Sequence, residues 1–131
     1  MTEKTAKLMK ENDVWLSPQV RFLVREVTPE DIEKVGQSTY RKWKTVKDGL
    51  AKSLRYAKKH EINIAFGTDF FASMPMIGQE FAARKLYFSD FEILKQATSI
   101  NAKFLGLTGL LNPYPDAALG VIKNGAYADL I

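Results

Sequence analysis

The groups that could do chemistry in this sequence gather at one point. Residues 62–66, INIAF, form a continuous apolar run, and Gly67-Thr68-Asp69 follows it directly. The run is bounded by His60-Glu61 and by Gly67, which predicts a strand buried on both faces. In α/β folds the ligand site lies at the carboxyl ends of the strands, so the pattern sets Asp69 where a site would be. A carboxylate there can ligate a metal, act as a base or orient a substrate. It can equally close a turn. Phe70, Phe71, Met74, Met76 and Ile77 follow in a predicted loop over residues 70–78. They could form an apolar wall against a substrate or pack as a rim.

Few other reactive groups are available. The 131 residues hold no cysteine and one histidine, His60. That excludes a disulfide framework, a thiolate metal site, a cysteine nucleophile and a cluster of histidine ligands drawn from this chain alone. His60 is predicted at a helix end, where a cation favours the dipole. Glu80 opens the next predicted helix; it could reach the site, or serve as a first-turn carboxylate on the helix dipole. Arg84 and Lys85 read as solvated charges, and Trp15, Tyr40 and Trp43 as packing residues. Net charge is +4, and residues 1–60 carry 14 basic against 8 acidic residues. A basic half can signal a nucleic-acid partner. Here the basic residues are spread along one long amphipathic segment and mixed with acids, with no run of five like charges, which reads as a solvated helix face rather than a nucleic-acid surface. No apolar run approaches the roughly 18 residues of a membrane span.

The elements that must position Asp69 follow from periodicity. Residues 3–11 predict a short helix, and residues 14–20, VWLSPQV, a short strand that ends near Pro18. Thr28-Pro29 is a helix start, and apolar residues mostly at spacings of three and four from Ile32 to Ala57 predict one face of a long helix to about Lys59. Gly36 and Gly49 are points where it could loosen or break. Residues 79–88 predict a helix, and Ser89 caps another from Asp90 to about Leu105. A long helix between two apolar runs makes a βαβ unit. The tail, GVIKNGAYADLI, predicts two short strands around an Asn124-Gly125 turn. It stops inside an apolar run, which is expected of a piece of something longer.

Three blocks of the chain resemble a known family. They are INIAFGTDFF, then ATSINAKFLG from Ala97 to Gly106, then GVIKNGAYADL from Gly120 to Leu130. In this order they resemble the C-terminal stretch of the amidohydrolase superfamily, in particular its imidazolonepropionase-like and Xaa-Pro-dipeptidase-like metal-dependent hydrolases. The match covers nearly the whole chain and is most specific over residues 62–131; VWLSPQV resembles the seventh barrel strand. The resemblance implies an α/β fold, the C-terminal portion of a (β/α)₈ TIM-like barrel with its last two strands and their helices. Residues 1–106 would belong to that barrel, and residues 107–131 would be a loop and the start of a closing β-sandwich.

The same resemblance implies a divalent metal, usually zinc, with Asp69 as a ligand that also takes the proton of the attacking water. Phe70, Phe71, Met74 and Met76 would then face a small amide or peptide-like substrate. Thr98 and Asn101 would be structural hydrogen-bonders between helix and barrel, and Asp129 a structural residue of the sandwich. No H-x-H pair occurs in this chain, so the other metal ligands would come from the remainder of the barrel. The expectation is therefore a C-terminal fragment of an amidohydrolase that is silent alone. A reading of a different class is a standalone interaction module, or a homo-oligomer, that uses exposed barrel-edge surface.

Overall fold

A computed structural model describes residues 1–69 and 77–128. Its helices begin and end where local chemistry dictates. In α1 (Glu3–Glu11), the Thr2 hydroxyl accepts from the Thr5 N–H at 3.1 Å, with Glu3 in the first turn and Lys10 in the last. A five-residue helix α2 (Val20–Val24) follows. At α3 (Pro29–Val35), Thr28 and Asp31 form a reciprocal capping box with Pro29 at the first position. Gly36, at φ +80°, ends α3 and starts α4 (Gln37–Lys59), so the predicted long helix is two helices meeting at a corner. Gly49 does not interrupt α4, and His60 caps its C-terminal end as expected. Next come α5 (Ile77–Arg84) and α6 (Asp90–Lys95), the latter opened by a Ser89–Glu92 capping box. A π-helical turn, Gln96–Ile100, joins α6 to α7 (Asn101–Gly106), and a 3₁₀ turn at Gly109–Leu111 follows.

The core is the apolar stripe of α4, Leu50, Leu54 and Ala57, packed on Ala6, Val20, Ile62, Ile64, Ala83, Phe88 and Ile93. Among the described residues, no helix is long and apolar enough to cross a membrane.

The expected α/β fold is overturned. Among the described residues there is no strand, sheet, barrel or β-sandwich; the chain is helical, with one isolated parallel bridge between Leu16 and Ile64. The segments 14–19 and 62–66 are extended and adjacent, but their pairing ends after one residue pair. Pro18 has no N–H to give, Val20 already begins α2, and a side chain takes the backbone of Phe66. Among the described residues of the tail, 120–128, there is no strand either. Asn124-Gly125 does form a turn, with Gly125 at φ +77°, and Tyr127 N–H donates to Ala118 O at 2.9 Å. Asp129 lies outside the described residues.

Two glycines should respond oppositely to alanine. Gly49 lies inside α4 with open space around its missing Cβ, whereas at Gly120 (φ +69°) a Cβ would sit 2.6 Å from the Thr98 carbonyl carbon. Urea unfolding should show Gly49→Ala stabilised by about 0.5–1 kcal/mol and Gly120→Ala destabilised by about 1–3 kcal/mol.

The contact of α1 with α4 should also be acid-sensitive. Glu3 accepts from Lys59 at 2.9 Å and lies 2.8 Å from His60 Nε2. The Lys59 hydrogen bond, supported by that of His60, holds the Glu3 carboxyl below its ordinary 4.5 against an opposing effect of burial. A lowered carboxyl value means the contribution is complete above pH 4.5 and is lost as the pH falls through the lower folded value. The NMR shift of the buried Ala6 methyl should move over that acid range, and Glu3→Gln should remove the movement.

Candidate functional site

The two extended segments set the position of Asp69. Leu16 N–H donates to Asn63 O, and Ala65 N–H donates to Leu16 O, each at 2.9 Å. Beyond that point side chains replace the ladder. Glu80 and Arg84 are both fully buried on α5, and the Arg84 Nε donates to Glu80 Oε1 at 2.7 Å. Glu80 also accepts from the backbone N–H groups of Val20 (3.1 Å) and Arg21 (2.7 Å), capping α2 from another element. Arg84 donates to Pro18 O at 2.7 Å, to Ala65 O at 3.1 Å and to Gln96 Oε1 at 2.6 Å. Its guanidinium lies 4.4 Å from the centre of the Phe66 ring. Burial pulls the Arg84 group below its ordinary value, and the hydrogen bond and charge of Glu80 oppose that. Guanidinium is basic enough to stay charged at neutral pH.

Asn101 completes the frame. Its Oδ1 accepts from Phe66 N–H, and its Nδ2 donates to Phe66 O, both at 2.8 Å. One side-chain amide thus pairs both backbone groups of a residue, as a neighbouring strand would. Gly67 then passes close to Ser17, whose Oγ would lie 3.4 Å from a Cβ added at Gly67. Asp69 follows, exposed and at φ +53°, a left-handed conformation that aspartate tolerates better than most residues.

The structure therefore places Asp69 at the exit of the 62–66 segment. Phe70, Phe71, Met74 and Met76 lie outside the described residues. Asn101 makes structural hydrogen bonds, though to the Phe66 backbone of an extended segment rather than to a barrel, whereas the Thr98 hydroxyl turns back on its own helix to Leu94 O at 2.7 Å. Glu80 and Arg84 correct the sequence reading, since neither is solvated or a simple first-turn charge. The available signal was their spacing of four between apolar neighbours, which puts a carboxylate and a guanidinium side by side on one helix face.

Among the described residues, no three His, Asp or Glu side chains come together. His60 lies at the other end of the 62–66 segment, against Glu3. These residues by themselves do not fit a divalent metal ion.

The fold is similar to a crystal structure of a protein described as uncharacterized, with a TM-score of 0.75 and 25% sequence identity. The match covers 98% of this chain and 30% of that one, so the chain spans under a third of the length of the protein it matches. No protein-family model and no curated protein matches it.

Removing one member of the buried pair should be severe. Arg84→Met leaves the Glu80 carboxylate uncompensated, and about 3–5 kcal/mol of stability should be lost in urea unfolding. The double replacement Glu80→Leu/Arg84→Met should not restore it, because Val20 N–H, Pro18 O and Ala65 O remain without partners.

Proposed function

We propose that this chain is the C-terminal part of a longer hydrolase of the amidohydrolase type, acting on C–N bonds of small amide or peptide-like substrates. Its own contribution is Asp69. The observation that carries this reading is the placement of Asp69, exposed at the exit of a segment whose last residues are pinned by Arg84 and Asn101. The sequence resemblance assigns the same residue. A base must sit within hydrogen-bond reach of the proton it takes, and a pinned segment supplies that constancy. The likeness to a solved chain of more than three times the matched length supports the idea of a longer protein.

In this reading Asp69 orients the attacking water, takes its proton and passes it to the leaving amine. A divalent metal such as zinc would supply Lewis-acid activation, with its other ligands drawn from outside this chain. Phe70, Phe71, Met74 and Met76 would form the apolar side of the substrate pocket.

A second reading is an interaction module without catalysis. Exposed Leu107, Leu110, Leu111 and Ile122 favour it, because they present apolar surface near the C-terminal end. On this reading the protein self-associates or holds a partner, and Leu110→Glu with Leu111→Glu disperses the assembly in sedimentation velocity.

The test is turnover by the longest natural reading frame containing these residues, on a panel of N-acyl amino acids and dipeptides. The wild type should cleave at least one substrate class. Asp69→Asn should lose on the order of 10²–10⁴-fold in kcat with its helical circular dichroism unchanged. Turnover near wild type in that variant, or no cleavage of any panel member by the wild type, would sink the hydrolase reading.

A further inference from the structure

A concave feature lies beside the end of α2, and it uses none of the residues that frame Asp69. The Thr28 capping box fixes the start of α3, and Gly36 at φ +80° turns the chain sharply into α4. The corner leaves a cleft of about 310 Å³ between α2, α3 and the first half of α4. That volume falls at the small end of the roughly 300–1,000 Å³ range of small-molecule sites.

Its walls are apolar and wet. Phe22 and Val35 are each 50% exposed and Val46 57%. Tyr40 and Trp43 stack with ring centres 5.9 Å apart and planes 20° apart, which makes a stiff aromatic side. The polar edge of Trp43 is already used, because its indole N–H donates to Phe22 O at 3.3 Å. The site therefore offers apolar area without a buried polar group left to satisfy, and water there gains little.

Charge at the cleft is one-sided. Arg25 and Asp31 both line it, but they pair with each other at 3.3 Å, and Asp31 also accepts from Thr28 N–H. Among the described residues, the charge that remains in the lining is that of exposed Lys42. Lys47, 4.9 Å from the Trp43 ring centre, adds a second cation nearby. An apolar body with one anionic head matches this arrangement. A cationic amphiphile would meet like charge, and a neutral one would leave the lysine unused.

We propose that this cleft binds a small free monocarboxylic acid with an apolar body, its chain or ring against Phe22, Trp43 and Val46 and its carboxylate on Lys42. The apolar walls supply affinity, and Lys42 supplies the selection for an anion.

The experiment uses the 131-residue chain and the two indole N–H signals in a ¹H–¹⁵N spectrum, assigned with Trp15→Phe. Octanoate, octylamine and 1-octanol, all below micelle formation, are the matched probes. Octanoate should shift the Trp43 signal saturably with a sub-millimolar Kd and leave Trp15 in place. Octylamine should bind at least tenfold more weakly. Lys42→Glu should weaken octanoate at least tenfold and remove its advantage over octylamine. Lys44→Glu, which alters an exposed lysine paired with Asp48 on the same helix, should leave octanoate binding within twofold. The proposal is overturned if no probe moves Trp43, if the three probes bind alike, or if Lys42→Glu has no more effect than Lys44→Glu. It is overturned as well if the Trp43 signal moves on simple dilution of the protein and octanoate does not displace that change, since a second copy then fills the cleft.

Discussion

The structure depends on the buried Glu80–Arg84 pair. An isolated buried ion pair is a weak stabiliser, because desolvation of the two charges consumes most of their attraction. This pair differs in what its remaining hydrogen-bonding capacity does. Glu80 takes two backbone N–H groups at the start of α2, and Arg84 takes two backbone carbonyls, one from each extended segment. Each of those groups, buried without a partner, would cost about 1–3 kcal/mol. The pair is therefore less an electrostatic bond than a substitute for backbone structure. It joins three stretches distant in sequence, 18–21, 65 and 80–84, at one dry point.

That role explains why the fold is helical around two extended runs that pair at a single bridge. A helix satisfies its own backbone, and α4 needs only an apolar stripe to be held in place. An extended segment must borrow partners. Leu16 bonds to Asn63 and Ala65 across a single bridge; after it, the lenders are Arg84, Glu80 and Asn101. The π-helical turn at 96–100 fits the same need. A turn closed over five residues brings Gln96 and Asn101 to one face, so one can meet Arg84 and the other Phe66. Gly120 then lies directly on the backbone of that widened turn, where no side chain has room.

Residue types with local consequences are legible in the sequence. Thr28-Pro29, Ser89 and Gly36 act within a few residues, and their caps and corner stand where the sequence sets them. The extended runs read as strands because β-favouring composition reports burial and extension, while a strand also needs a neighbour with free backbone groups. Pro18 and the early start of α2 remove those groups. Glu80 and Arg84 escape the sequence for a related reason. Charged side chains are seldom buried, and what buries these two comes from residues about 60 positions away. At the candidate site, the exit position of Asp69 can be read from INIAFGTD alone, whereas the side chains that hold that exit cannot.

In the proposed hydrolase, Asp69 and its frame would divide two demands that a reactive carboxylate makes on a protein. Asp69 itself is exposed and in a left-handed conformation, so it is open to solvent. The residues behind it, Ala65 and Phe66, are held by hydrogen bonds of 2.8–3.1 Å to the side chains of buried Arg84 and half-buried Asn101, so the backbone leading to it is anchored. A base on a loose loop would lose geometric precision, and a base buried among Arg84 and Gln96 would lose access. The one-residue bridge is enough for this purpose because rigidity comes from α5 and from the 96–101 turn, not from a continuous ladder. Asn101 acts only on the exit, through Phe66. Arg84 acts on the exit, on Pro18 and through Glu80 on α2 at once. Placement of Asp69 and global stability are thus coupled through Arg84 and separable at Asn101, which makes Asn101 the residue where a shift of the carboxylate need not become a loss of the fold.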